Sequence, residues 1–265
     1  MKAMAELNMV LTSAELVYLV KERSGELLPG ISDPFRDLDE SGKTRLSLDV
    51  EDSLQERGYR KRAFGGKTAY DPELLSLVDL CVGFQHYIGF DYRKAQGQLV
   101  TERFYDCGGT WLQISGSSDA LSLMRKKPED VRAALEQLPM DSGSRSDEVS
   151  MLVPMLDFKS IGRLIQRGKQ VDAQNEIANL ELDAFSQKFL LDGLSFMTDF
   201  ATITLVARGE DGISADSVSA LIGDDAMAEF YQTVGEDNRT MIGLRAASAG
   251  SWVSLKGVAE EWLTA

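Results

Sequence analysis

The sequence predicts an α+β protein made of two related halves that share one sheet. Trp111 to Leu138, WLQISGSSDALSLMRKKPEDVRAALEQL, reads as two short strands, a turn begun by proline and an amphipathic helix. Met241 to Leu263, MIGLRAASAGSWVSLKGVAEEWL, repeats that order of strand, Gly/Ser turn, strand and helix, burying Val258 and Trp262. Ile88 to Arg93 matches Ile203 to Arg208, and Leu121 to Lys126 matches Trp252 to Gly257, so each half reads as helices, strands and a closing helix. The midline falls in Pro139 to Asp147, PMDSGSRSD, whose small polar residues cannot build a core. The expected halves are 1–140 and 141–265, forming one compact unit.

In chain order, Thr12 and Glu15 have the spacing of a capping box, which starts a helix carrying Leu16, Leu19 and Val20 as far as Arg23. Ser24-Gly25 ends it. Pro29 to Gly42 reads as loop, Leu46, Val50 and Leu54 mark a second helix stopped by Gly58, and Tyr59 to Tyr70 is a hairpin or wing. Asp71-Pro72 opens a third helix, because Asp caps free amides and proline at the first helical position needs no donor.

Alternation then takes over. Tyr87, Gly89, Asp91 and Arg93 fall on one side of a strand, with Ile88, Phe90 and Tyr92 on the other. Leu99 to Tyr105, Trp111 to Gly116 and Ala120 to Lys126 continue it as an antiparallel meander, and Pro128 starts the closing helix. The second half has helical segments at Val153 to Arg167 and Asp172 to Phe196, a strand at Ala201 to Val206, and a further helical stretch at Ala215 to Val234.

Composition bounds the function. A chain of 265 residues with 43% hydrophobic and 26% charged residues can bury a sizeable core. The N-terminal stretch has charge at Glu6 and Glu15 and no long apolar run, so neither a signal peptide nor a spanning helix is expected, and the cytosol is the expected compartment. Two cysteines give no disulfide framework. The net charge is -14, and it is uneven: residues 1–140 carry 18 basic and 22 acidic side chains, residues 141–265 carry 10 and 20. Such a chain repels phosphate backbones, so neither nucleic acid nor membrane insertion is expected.

Four motifs bear on chemistry. Phe64 to Thr68 ends like a phosphate-binding loop, but Lys61 stands where its first glycine is needed and no buried strand precedes it. Asp37 to Gly42 begins like a calcium loop, yet its twelfth place is Leu48, which lacks the bidentate carboxylate. His86 is the sole histidine, and Cys81 and Cys107 have no paired ligand spacing with it, so no catalytic residue, metal site or cofactor is expected. Arg57, Arg60, Lys61, Arg62 and Lys67 form one basic patch around Tyr59 and Phe64, the shape of a winged-helix reader, which the acidic total opposes. Trp111, Leu112 and Ile114, with Phe185, Phe189 and Leu190, have the spacing of core faces and could otherwise form an interaction surface.

Four phrases carry a family resemblance: LTSAELVYLV at Leu11 to Val20, LQERGY at Leu54 to Tyr59, DPELLSLVDL at Asp71 to Leu80 and LVPMLDFKSIGRLIQRG at Leu152 to Gly168. Together with the order of elements over nearly the whole chain, they resemble the EspG family, cytosolic chaperones of type VII secretion. The resemblance implies a pseudo-two-fold α+β protein whose central, mostly antiparallel sheet is flanked by helical bundles. It implies no enzymatic activity. It implies a helical secreted effector, or a WXG-type or LXG-like substrate, as partner. The contact surface would combine a loop, Arg93 to Gly97 or Tyr105 to Gly109, with the helices of Asp147 to Asp199, naming Tyr105, Asp106, Phe185 and Phe189 as partner-binding residues. A toxin-neutralising immunity protein is the alternative, since those are also acidic and free of catalytic motifs; a winged-helix-type regulator is a third.

Overall fold

The computed structural model describes residues 8–23, 28–62, 68–93, 97–138, 150–196, 199–209, 212–222, 227–235, 238–246 and 251–264. They form an α+β protein with one large antiparallel sheet and eight helices. The chain runs β1 (Asn8–Leu11), α1 (Ser13–Arg23), α2 (Glu40–Glu56), a small hairpin of β2 (Arg60–Arg62) and β3 (Thr68–Tyr70), α3 (Pro72–Val82), β4 (His86–Arg93), β5 (Val100–Cys107), β6 (Thr110–Ser117), β7 (Ala120–Lys126) and α4 (Pro128–Glu136). It continues with β8 (Ser150–Pro154), α5 (Met155–Gln166), α6 (Gln170–Ala178), α7 (Ala184–Phe196), β9 (Asp199–Gly209), β10 (Gly212–Ile222), β11 (Met227–Val234), β12 (Thr240–Ala246) and α8 (Ser251–Trp262).

The ten-stranded sheet has the order β1-β7-β6-β5-β4-β9-β10-β11-β12-β8. Counted inward from either edge, each side places its first strand, then its fifth, fourth, third and second. The two sides join through the β4–β9 ladder, where Ile88 pairs with Leu205 and Phe90 with Ile203. Three helices follow the first strand of each side, and one helix follows the fifth.

Local chemistry accounts for the helix starts. The Thr12 amide donates to Glu15 Oε2 at 2.8 Å and the Glu15 amide to Thr12 Oγ1 at 3.1 Å, the reciprocal capping box expected of that spacing. Asp71 Oδ1 accepts from the Glu73 and Leu74 amides at the start of α3. Asp39 accepts from Gly42 at 2.7 Å, so the acidic stretch that begins like a calcium loop is instead an N-cap, and α2 starts earlier than its apolar residues suggest.

Three apolar clusters hold the layers together. One packs α1 to α3 on the face carrying Tyr87, Tyr105, Leu112 and Val206. A second, on the opposite face, joins Ile88, Phe90, Phe104, Trp111 and Ile203 to α4 and α8. The third seats α5 to α7 on Met151, Val153, Ile242 and Leu244. In β9, Phe200 and Val206 share a face by alternation; Val206 belongs to the α1–α3 cluster, and Phe200 meets Phe230 of the α5–α7 cluster at 5.8 Å between ring centroids. The two three-helix sets therefore lie on the same side of the sheet.

Several expectations are corrected. The described residues of Ala215 to Val234 are strand instead of helix: they belong to β10 and β11, with Val218, Ala220 and Ile222 alternating into the core beside α8. The pairing of β10 with β9 along all eleven of its residues outweighs the helix-forming alanines. Trp252 to Gly257 lies within α8 instead of a strand, so the strand that occupies β7's place on the second side is β12. Val153 belongs to β8, and Asp172 to Phe196 is two helices broken after Asn179. The edge strand β1 was not foreseen. Pro139 to Asp147 and the Ser24-Gly25 stop lie outside the described residues.

Candidate protein-docking surface

The bundle of α5, α6 and α7 is built to cover the edge half of the sheet. Ile161, Ala173, Ile177 and Leu190 point inward from the three helices and are buried. The connections between them are short, which turns the chain back at each helix and keeps neighbours packed. Asp183 starts α7 by accepting from the Phe185 amide and the Ser186 amide, both at 2.9 Å, and from Ser186 Oγ at 2.8 Å. Those bonds, the Ser186 amide first, hold its carboxyl below the usual carboxylate range.

Outside that packing, each helix leaves a large apolar side chain in solvent. Leu156 of α5 is 81% exposed, Val171 of α6 69% and Phe185 of α7 52%. Phe189, one turn after Phe185, is partly buried against the third cluster and lines a small gap with Phe158, Leu194 and Leu221. Single exposed apolar residues are ordinary on a protein surface; here one stands on each of the three helices.

The central strands carry a groove of mixed polar and apolar lining. The groove, of about 330 Å³, is lined by Pro29 and Gly30 and by Tyr87, Gly89, Asp91, Thr101, Arg103, Thr202, Thr204 and Val206 of the central strands. Its hydroxyls are paired across the ladder, Thr202 with Ser219 and Thr204 with Ser217, both at 2.8 Å, and Thr101 donates to Asp91 at 2.6 Å. Gly89 matters here: a Cβ at that position would collide with the Tyr87 ring, which lies across it. Arg103 Nε donates to the Gly30 carbonyl at 2.6 Å, while its Nη1 is buried without a hydrogen-bond partner. The groove is thus lined by Arg103 and a row of internally paired hydroxyls on the central strands.

The expected partner-binding residues separate. Phe185 is on the surface and Phe189 beneath it. Tyr105 is fully buried, donating to the Pro29 carbonyl at 2.6 Å, and Asp106 is buried against His86 Nδ1 at 3.1 Å while accepting from the Gly109 amide at 2.8 Å. Both side chains make their hydrogen bonds inside the fold. Leu156 and Val171 are not among the expected partner-binding residues, although a signal exists for the first. Leu156 lies five residues before Ile161, about 140° round the helix from the buried stripe.

The remaining motifs find structural roles. His86 stacks on Trp262 at 4.5 Å, clamping α8 to the sheet. Cys81 is buried, and desolvation pushes its thiol well above the ordinary range. In the basic patch, Arg57 is paired with Glu15 and Arg60 with Glu51, each at 2.7 Å. Phe64 to Lys67 and the candidate loop residues 94–96 lie outside the described residues. Among the described residues no group of three or more His, Cys, Asp or Glu could hold a metal ion, and no helix is long and apolar enough to cross a membrane.

No protein-family model matches the chain. No curated protein matches it. Among solved structures it is similar to the Mycobacterium tuberculosis type VII secretion system chaperone EspG5, solved in complex with a PE25–PPE41 dimer; the identity is 10%, the match covers 97% of this chain and 95% of that chain, and the TM-score is 0.45.

Proposed function

We propose that this chain is a non-enzymatic chaperone or adaptor that holds a helical protein against α5–α7 and the groove beside them. The observation that carries the reading is the set of exposed apolar side chains, Leu156, Val171 and Phe185, on three helices whose inner faces are already satisfied. Removing such side chains from water contributes about 1.5–3 kcal/mol for each one fully covered, before the costs of docking and ordering. A helical hairpin with an apolar tip has the complementary need, because its tip otherwise aggregates.

The family resemblance of the sequence supports a helical secreted effector, or a WXG-type or LXG-like substrate, as that partner, met in the cytosol. Acidic charge concentrated in residues 141–265 favours a partner with a basic end and keeps the loaded complex soluble. On this reading, 1–140 and 141–265 are related halves about a pseudo-two-fold axis, and the repeated strand order is the trace of that relation.

Co-expression with helical secretion substrates, followed by size-exclusion chromatography, tests the proposal. A stable complex that is lost in Phe185→Asp and Leu156→Asp variants supports it. Absence of co-elution with every substrate, together with protection of cells from one toxin, would replace it with the immunity-protein reading.

A further inference from the structure

On the opposite face of the sheet, beside α4, lies a cavity of about 800 Å³. Phe90, Tyr92 and Phe104 form its aromatic wall, Tyr92 partly exposed and the Phe90 and Phe104 rings set into the core 6.0 Å apart. Glu102 and Gln113 enter from the sheet, Lys126 from the end of β7, and Asp130, Ala133, Ala134 and Gln137 from α4. The volume falls in the range of small-ligand sites, and a few polar groups converge on an aromatic lining.

We propose that this cavity binds an organic cation carried on an apolar body, an amine or guanidinium with an aromatic or alkyl stem. Glu102 is the anchor. It pairs directly with Phe90 across the β4–β5 ladder, so its carboxylate stands next to the aromatic lining. Gln113 Nε2 donates to its Oε2 at 2.6 Å, and its other oxygen has no hydrogen-bond donor among the described residues. Burial raises its pKa, which Gln113, Lys126 and Arg103 only partly oppose. Among the described residues no cation lies within ion-pair distance of that carboxylate, and a bound cation would provide one.

Charge selects the ligand class. Glu102 and Asp130 outnumber Lys126 in the lining, and Asp130 is committed to the Lys127 amide at 3.0 Å. Aromatic faces attract cations through their quadrupoles, adding to the carboxylate. The cation could belong to a free amine or to a lysine or arginine side chain of a peptide; the chemistry is shared. The site lies on the other side of the sheet from α5–α7 and does not depend on the docking surface there.

Calorimetric titration of the full chain at pH 7 with phenethylamine, phenethyl alcohol and phenylacetate tests the proposal, with an acetylated and amidated Phe-Arg dipeptide as the peptide arm. Saturable binding of the amine, weakened about tenfold or more in Glu102→Gln while the alcohol is unaffected, is the expected result. A second variant, Ala133→Phe, places a ring at an exposed position of α4 that lines the cavity and should abolish binding without disturbing the core. Affinity should also fall on acidification, as Glu102 takes up its proton. Tighter binding of the dipeptide than of the amine assigns the site to a peptide, and the reverse to a free amine. Equal affinity for all three aromatic ligands, no saturable heat from any cation, or amine binding indifferent to both substitutions would overturn the proposal.

Discussion

Arg57 Nη1 donates to Glu15 Oε2 at 2.7 Å, and Glu15 is almost wholly removed from solvent while Arg57 remains a third exposed. The same carboxylate accepts from the Thr12 amide and from Ser53 Oγ at 2.7 Å, so one side chain caps α1 and ties it to α2. Arg57 also reaches the Val10 carbonyl, bringing the edge strand into the same network. Replacing Glu15 with Ala should destabilise the protein by about 2–3 kcal/mol, just under the roughly 3–5 kcal/mol of a fully buried pair, because Arg57 is a third exposed and can turn to water. Glu15→Gln should cost less. Urea unfolding midpoints measure both, and a loss under about 1 kcal/mol for Glu15→Ala would make the network incidental.

Cysteine reactivity should divide by position. Burial raises the Cys81 thiol strongly, whereas Cys107 is only partly covered and is raised first by desolvation, then by Asp106 and Asp79. A thiol reagent at pH 8 should modify Cys107 slowly and leave Cys81 untouched until denaturant is added. Fast modification of Cys81 in the native protein would mean that the helix opens locally.

Stability should fall steeply above pH 10. Burial raises the phenol of Tyr87 to about 12 and lifts Tyr18 and Tyr105 as well. An unfolded chain releases those protons near pH 10 while the folded protein keeps them, so rising pH favours unfolding. Each such tyrosine steepens the slope by up to about 1.4 kcal/mol per pH unit over this window, which for Tyr87 closes near pH 12. Unfolding midpoints at pH 9, 10 and 11 would reveal it, and a flat profile would contradict the burial.

Gly116 should resist substitution. Its φ of +105° is a conformation that side chains rarely adopt, and an added Cβ would strike the Ala120 carbonyl. Gly116→Ala should cost about 2 kcal/mol or more, combining backbone strain with a displaced β6–β7 turn. The Tm of the purified variant checks this, and an unchanged value would argue against the turn geometry.

Phe185→Ser and Leu156→Ser should leave stability within about 0.5 kcal/mol, because neither side chain is buried. The same changes should reduce partner capture and non-specific association. A loss above about 2 kcal/mol would place these side chains in the core instead of on a surface.

What the sequence determined by itself was the local punctuation. The Thr12–Glu15 box, Asp71-Pro72 and Pro128 fixed helix starts, since each satisfies or removes free backbone amides within one turn. Alternation likewise gave β4 and β7, whose two faces differ in side-chain character. Tertiary structure decided the rest. Residues 215–234 contain enough helix formers to read as a helix, and only partners on both sides, β9 and β12, make strands of them. Tyr105 and Asp106 stand next to a Gly-Gly turn, yet their hydrogen-bond partners, Pro29 and His86, lie far back in the chain and draw both inside. The apolar stripe of α7 foretold Leu190 in the core and could not say that Phe185 would stay outside, because periodicity gives the direction of a face but not how far its neighbours extend over it.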